Sequence, residues 1–249
     1  MTSQREQVRS LFGAWAVISV IQVFLAELVV SRSWAGEQSY SPIFNVISDL
    51  GAAHCGIHSA RFVCSPLNWL MNASLALQGL GMILGGLLLS STLLGVAAGV
   101  RSSRAAHARL AHSPAAQLKA AAWARWLLVA AGAGVILLAV FPEDTISALH
   151  FTGALTFFGA GTIALLLLWW IWYQRSALSW VLLVLGVVSA VATVAFAIFS
   201  VFLQIPGFPD GLVERLIVYP LIIGLSLVGI RVARGVRQQR LAERARLAG

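Results

Sequence analysis

The chain has 249 residues, of which 59% are hydrophobic and only 10% charged, and its formal net charge is +8. So few polar side chains cannot cover a water-soluble globule, which excludes a soluble domain and marks an integral membrane protein. The basic excess would suggest nucleic acid in a soluble protein, but here the arginines flank apolar runs as topology determinants do, and nucleic acid is excluded as a partner.

Six apolar runs are long enough to cross about 30 Å of hydrocarbon at about 1.5 Å per residue. They lie at 11–30, 66–100, 122–141, 147–173, 177–203 and 212–230 and predict an all-α, six-helix transmembrane bundle forming one domain, 1–249. The first follows a short polar stretch with no small-residue cleavage site and reads as a retained signal anchor. The second is too long for one perpendicular crossing, so it must tilt, project, or kink near Gly79, Gly81, Gly85 and Gly86.

Charge sets the expected orientation. Only Arg32, Arg61 and Arg215 of the 17 basic residues fall on one side of these crossings, whereas all of the nine carboxylates except Glu6 and Glu243 do. The basic side, with Arg101, Arg104, Arg109 and the tail 231–249, is expected to be cytoplasmic, with both termini on it. Trp123, Trp126, Trp169, Trp170, Trp172 and Trp180 fall at the cytoplasmic ends of the spans, where indole rings favour the headgroup level. All basic residues but Lys119 are arginine and alanine is abundant, a bias that fits a GC-rich bacterial genome and hence a bacterial cytoplasmic membrane. Arginines spaced mostly three apart from Arg231 to Arg246 give a basic helical face suited to snorkelling or to anionic headgroups.

Most of the unusual chemistry falls on the extracytoplasmic side. In the first loop, residues 42–50 followed by Gly51 read as a short helix with a glycine stop. Cys55 and Cys64, nine positions apart in an oxidising compartment, are expected to form a disulfide, worth about 2 to 3 kcal/mol by loop closure. The alternative joins them with His54 and His58, a pair that would share one helical face, in a zinc site; no metal or other cofactor is assigned.

Glu27, His150, Glu214 and Arg215 each lie about 5 to 9 Å along a helix from its outer end, so all could meet at a common depth beneath Asp49. Asp144 and Asp210 sit where helix caps belong. Pairing of Glu214 with its neighbour Arg215, and capping alone, would make these structural residues. Convergence would make a polar pocket opening outward, able to bind a cation, relay protons or support acid–base chemistry. Gly132, Gly134, Gly153, Gly159 and Gly161 are expected to let helices approach closely.

Four strings in order, Asn45-Val46-Ile47-Ser48-Asp49-Leu50-Gly51, Ser65-Pro66-Leu67-Asn68, Phe141-Pro142-Glu143-Asp144 with His150, and Gly211-Leu212-Val213-Glu214-Arg215, resemble domain-of-unknown-function family 998. The resemblance runs from about Leu11 to Arg231. It implies a polytopic membrane protein and draws Asn45 and Ser48 into the candidate set, but it carries over no activity. More distant similarity to the DRAM membrane proteins, some linked to lipid remodelling, implies a lipid-related role by analogy of fold. A superficial likeness of Ser48, Asp49 and His150 to intramembrane metal hydrolases of the ceramidase type is weakened because His150 alone of the 5 histidines lies inside a span. The leading expectation is an outward-facing pocket for a lipid headgroup, small solute or cation. The alternatives are an intramembrane lipid hydrolase, or a structural subunit whose partner, beyond membrane lipids, is another membrane protein.

Overall fold

The computed structural model describes residues 4–58, 61–91, 94, 113–173 and 175–248. The basic loop with Arg101, Arg104 and Arg109, and the far end of the second apolar run, lie outside the described residues. Among the described residues six helices are long and apolar enough to cross a membrane, and they form a six-helix membrane bundle. With no water to satisfy backbone groups in hydrocarbon, a helix is the only open-chain solution, which is why the spans are legible from hydropathy alone.

The first span runs from Gln4 to Arg32. It consists of α1 (Gln4–Ser19), a 3₁₀ turn at Val20–Gln22 and α2 (Val23–Arg32). At that turn Gln22 and Ser74 exchange side-chain hydrogen bonds, Nε2 to the Ser74 carbonyl and Ser74 Oγ to Oε1, each 2.8 Å, so a polar clamp holds the irregular turn. The remaining spans are α3 (Asn68–Leu88), α4 (Pro114–Val140), α5 (Ser147–Trp172), α6 (Leu178–Ala195), which continues as a π-helical stretch at Phe196–Phe202, and α7 (Asp210–Ala248). Ser113 caps α4, its Oγ accepting from the Ala116 N–H at 3.2 Å with proline at the first helical position.

The spans form a closed ring in sequence order. Each packs on its predecessor, and α7 packs on α1 as closely as on α6. Glycines set the closest approaches. A Cβ on Gly79 would lie 2.6 Å from the Gly132 carbonyl oxygen, and Gly134 and Gly153 face one another in the same way. Gly159 has nothing within 4 Å and is not a packing glycine.

Three expectations are corrected here. The second run neither kinks at its glycines nor continues as one long helix: α3 stops at Leu88, and its glycines serve helix contacts instead. Its last carbonyls are taken by arginines, Arg9 donating to Leu87 O at 2.7 Å and Arg125 to Gly86 O at 2.9 Å, so α3 can end there without leaving those acceptors bare. Residues 42–50 do not form a helix. Turns around Ser41–Asn45 lead to a single 3₁₀ turn at Ser48–Gly51, followed by an antiparallel hairpin of β1 (Gly56–His58) and β2 (Arg61–Val63). The basic tail continues α7 without a break. Trp172 is fully buried, donating Nε1–H to Leu94 O at 2.8 Å, and is a core residue rather than an interfacial anchor, in contrast to the exposed Trp123, Trp126 and Trp180.

Candidate functional site

The loop between α2 and α3 folds over one end of the bundle and is tied down at many points. The Cys55–Cys64 disulfide closes its hairpin. This replaces the zinc alternative, because the thiols are consumed and His58 lies on a strand rather than one helical turn from His54. Ser65 Oγ donates to Leu50 O at 2.7 Å, Asn72 Nδ2 to Gly51 O at 2.9 Å, and the Leu212 N–H to Ile43 O at 2.9 Å. Gly211 is required where it stands, since any Cβ would collide with the Asn45 carbonyl.

Arg215 is the main staple. Its Nε donates to Glu27 Oε1 at 2.9 Å, its Nη1 to the carbonyls of Pro42, Asn45 and Gly211, each at 2.8 Å, and its Nη2 to Tyr40 Oη. Tyr219 Oη donates to the other oxygen of Glu27 at 2.8 Å. Burial pushes the Tyr40 phenol above its ordinary range although Arg215 opposes the shift. Guanidinium and carboxylate are both buried and almost fully satisfied, the arrangement that makes a buried ion pair tolerable. Glu214 is therefore not paired with Arg215, its neighbour in sequence; Glu27 is.

Glu214 belongs to a second constellation. Its Oε2 accepts from the Ile47 N–H and its Oε1 from Ser48 Oγ at 3.1 Å. Ser48 Oγ is also 3.3 Å from His150 Nε2, and His150 Nδ1 is 3.0 Å from Phe141 O. Carboxyl, hydroxyl and imidazole thus form an unbroken chain joining α7, the loop and α5.

The third constellation lies beside it. Asp49, fully buried, accepts from Asn45 Nδ2 at 3.0 Å and from Arg61 Nη2 at 3.3 Å, and Arg61 Nη1 reaches Asp210 at 3.3 Å. Glu143 adjoins Asp49, whose negative charge favours a proton on Glu143. Burial, and the charges of Asp49 and Glu214, raise Glu143 well above the ordinary glutamic range; Arg61 only partly offsets them. Glu143 Oε1, Asp210 Oδ1 and Arg61 Nε are buried without a hydrogen-bond partner.

Asp144 is displaced from the role the sequence suggested. It does not cap α5, whose N-cap is Ile146. It accepts instead from the N–H groups of Ala53 and His54 and meets His54 Nδ1 at 2.9 Å, latching the loop. Burial works against ionisation there, but these hydrogen bonds prevail and hold Asp144 below the ordinary aspartic range.

The structure thus brings Asn45, Ser48, Asp49, His150 and Glu214 to one end of the bundle in two adjoining groups. It sets Glu27 with Arg215 as a structural pair and Asp144 on the loop. Glu143 and Arg61 were not among the sequence candidates, and Asp210 was considered only as a cap. Adjacent carboxylates at 143 and 144 look alike in sequence, and the turn after Pro142 decides which points inward. Two grooves lie elsewhere, about 520 Å³ along Arg5, Arg9 and Phe12 and about 460 Å³ along Trp123 and Trp170.

A family model described as "Protein of unknown function (DUF998)" matches residues 17–231. No curated protein and no solved structure matches the chain.

Proposed function

This chain belongs to the DUF998 family, and we propose that it is a membrane protein whose loop-end cluster binds a cation in exchange for a proton. The observation that supports this reading is the set of three carboxyls, Asp49, Glu143 and Asp210, gathered round the single guanidinium of Arg61, with Glu143 Oε1 and Asp210 Oδ1 unpartnered. An anionic phosphate would meet repulsion there. A cation would find acceptors, and by displacing the proton that Glu143 holds beside Asp49 it would restore that carboxylate to full charge. Of a lipid headgroup, a small solute and a cation, this surplus of acid favours the cation, whether a metal ion or the ammonium of a solute or headgroup.

On this reading the loop end faces the extracytoplasmic side of a bacterial cytoplasmic membrane and both termini are cytoplasmic, in keeping with the basic excess at the opposite end and with a disulfide at this one. The test is proton release from purified protein in weak buffer on adding sodium, potassium, magnesium, calcium or ethanolamine chloride, with tetrabutylammonium as the ionic-strength control. The wild type should release up to about one proton per chain with at least one probe and Glu143→Gln none. No release with any probe would overturn the reading.

One observation favours a second reading, lipid hydrolysis. Ser48 Oγ lies 3.3 Å from His150 Nε2, with the far nitrogen anchored on a carbonyl, which is the geometry of a hydroxyl beside a general base. Labelling of Ser48 by a fluorophosphonate, absent in His150→Gln, would support it; no labelling removes it.

A further inference from the structure

Ser48 has one hydroxyl hydrogen, and two groups compete for it. Counting hydrogens limits the arrangements sharply. His150 Nδ1 faces the Phe141 carbonyl, which can only accept, so Nδ1 carries a hydrogen. If Nε2 is bare, Ser48 must donate to it, and Ser48 Oγ can then meet Glu214 Oε1 only by accepting from a protonated carboxyl. If Nε2 carries a hydrogen, it donates to Ser48, and Ser48 donates to a Glu214 carboxylate. Both arrangements satisfy every contact, and they contain the same number of protons.

We propose that Glu214, Ser48 and His150 form a proton shuttle holding one mobile proton, with Ser48 as the relay. In the forward step the Glu214 O–H bond breaks as a Ser48 O–H bond forms, while the original Ser48 O–H breaks and an N–H forms on His150 Nε2. One proton moves in net from carboxyl to imidazole, leaving carboxylate and imidazolium, and no electrons are transferred. One proton fewer leaves a contact without a hydrogen, and one more crowds two hydrogens into a contact or leaves the Ser48 hydrogen without an acceptor in this chain, so the protonation of the carboxyl and of the imidazole is coupled. The charged or titratable groups facing this chain are Arg215, Tyr40, Asp49 and Glu143 on the carboxyl side and Asp144 on the imidazole side. The shuttle rests on the exchange reading for its purpose, carrying the proton that a cation displaces; the sharing itself rests on the hydrogen-bond geometry.

The test follows the His150 ring nitrogens by NMR in ¹⁵N-histidine-labelled full-length protein, assigned by difference from His150→Gln. With Ser48 present, Glu214→Gln should move the His150 titration midpoint by about one pH unit or more, a tenfold change in proton affinity. Combined with Ser48→Ala, the same substitution should move it by less than half as much, and Ser48→Thr, which keeps the hydroxyl, should restore the full shift. Nδ1 should stay protonated throughout. An equal shift in the Ser48→Ala background, or loss of the Nδ1 proton while Nε2 remains protonated, would overturn the shuttle. Intact coupling through Ser48 without cation-driven proton release would overturn the exchange reading alone.

Discussion

Replacing Arg215 by methionine isolates the largest single electrostatic debt in the fold. The substitution keeps side-chain volume in the bundle but removes the donors that satisfy Glu27 and the carbonyls of Pro42, Asn45 and Gly211. Glu27 would then keep only the Tyr219 hydroxyl. Removing one partner of a buried ion pair costs about 3 to 5 kcal/mol, because the remaining charge is left uncompensated. Since about 1.4 kcal/mol is tenfold in an equilibrium constant, the folded-to-unfolded ratio should fall by about 150- to 5,000-fold. Equilibrium unfolding in mixed detergent and SDS micelles reads this directly. Combining Arg215→Met with Glu27→Gln should recover part of the loss, because no net charge is then stranded, while the loop carbonyls remain unpaired and prevent full recovery. A single substitution costing less than about 1 kcal/mol, or a double variant no better than Arg215→Met alone, would refute the view that this pair holds the loop on the bundle.

Because folded Glu143 retains a proton that an unfolded glutamate loses above about pH 4.3, stability should fall as pH rises from there through its raised folded value; Glu143→Gln should flatten that decline in unfolding measured against pH. Asp144 has the opposite sign: its contribution is present above about pH 3.9 and is lost as pH falls through its lowered folded value, so Asp144→Asn should remove this acid-sensitive component. Gly132→Ala, whose Cβ would meet the Gly79 carbonyl at 2.5 Å, should cost about 1 to 3 kcal/mol in the same unfolding assay, whereas Gly159→Ala, with open space around it, should be neutral or slightly stabilising. Cys55 and Cys64 should resist a membrane-impermeant maleimide on intact cells until a reductant is added; labelling of both without one would contradict the disulfide, and alkaline-phosphatase activity from a C-terminal fusion would contradict the proposed orientation.

The spans were legible because hydrocarbon leaves the backbone one economical answer, and a run such as 147–173 announces it over many residues. The hairpin was not, since strands of three residues each are too short to show alternation and are held by the disulfide and by contacts distant in sequence. Glycines near position 80 carried an ambiguous signal: the same absence of a Cβ permits a kink or a close neighbour, and the facing glycine on α4 decides between them. The pairing of Glu27 with Arg215 was hidden for a related reason. Adjacent Glu214 and Arg215 invite a local pairing, yet consecutive helical residues point in different directions, so each finds a partner on a different element. Trp172 shows the limit of position along a span, because burial depends on what the chain beyond the helix brings over it.

The sequential ring gives synthesis a clear order. Each new helix meets the one made just before it, and only the closure of the last span on the first must wait. Glu27 and Arg215 are 188 residues apart. At about 5 to 20 residues per second, the carboxylate in the first span stays unmatched for roughly 10 to 40 s before its guanidinium is made. A chain truncated before α7 would expose this lone acid inside the membrane, a mark by which quality-control proteases could tell an unfinished molecule from a complete one.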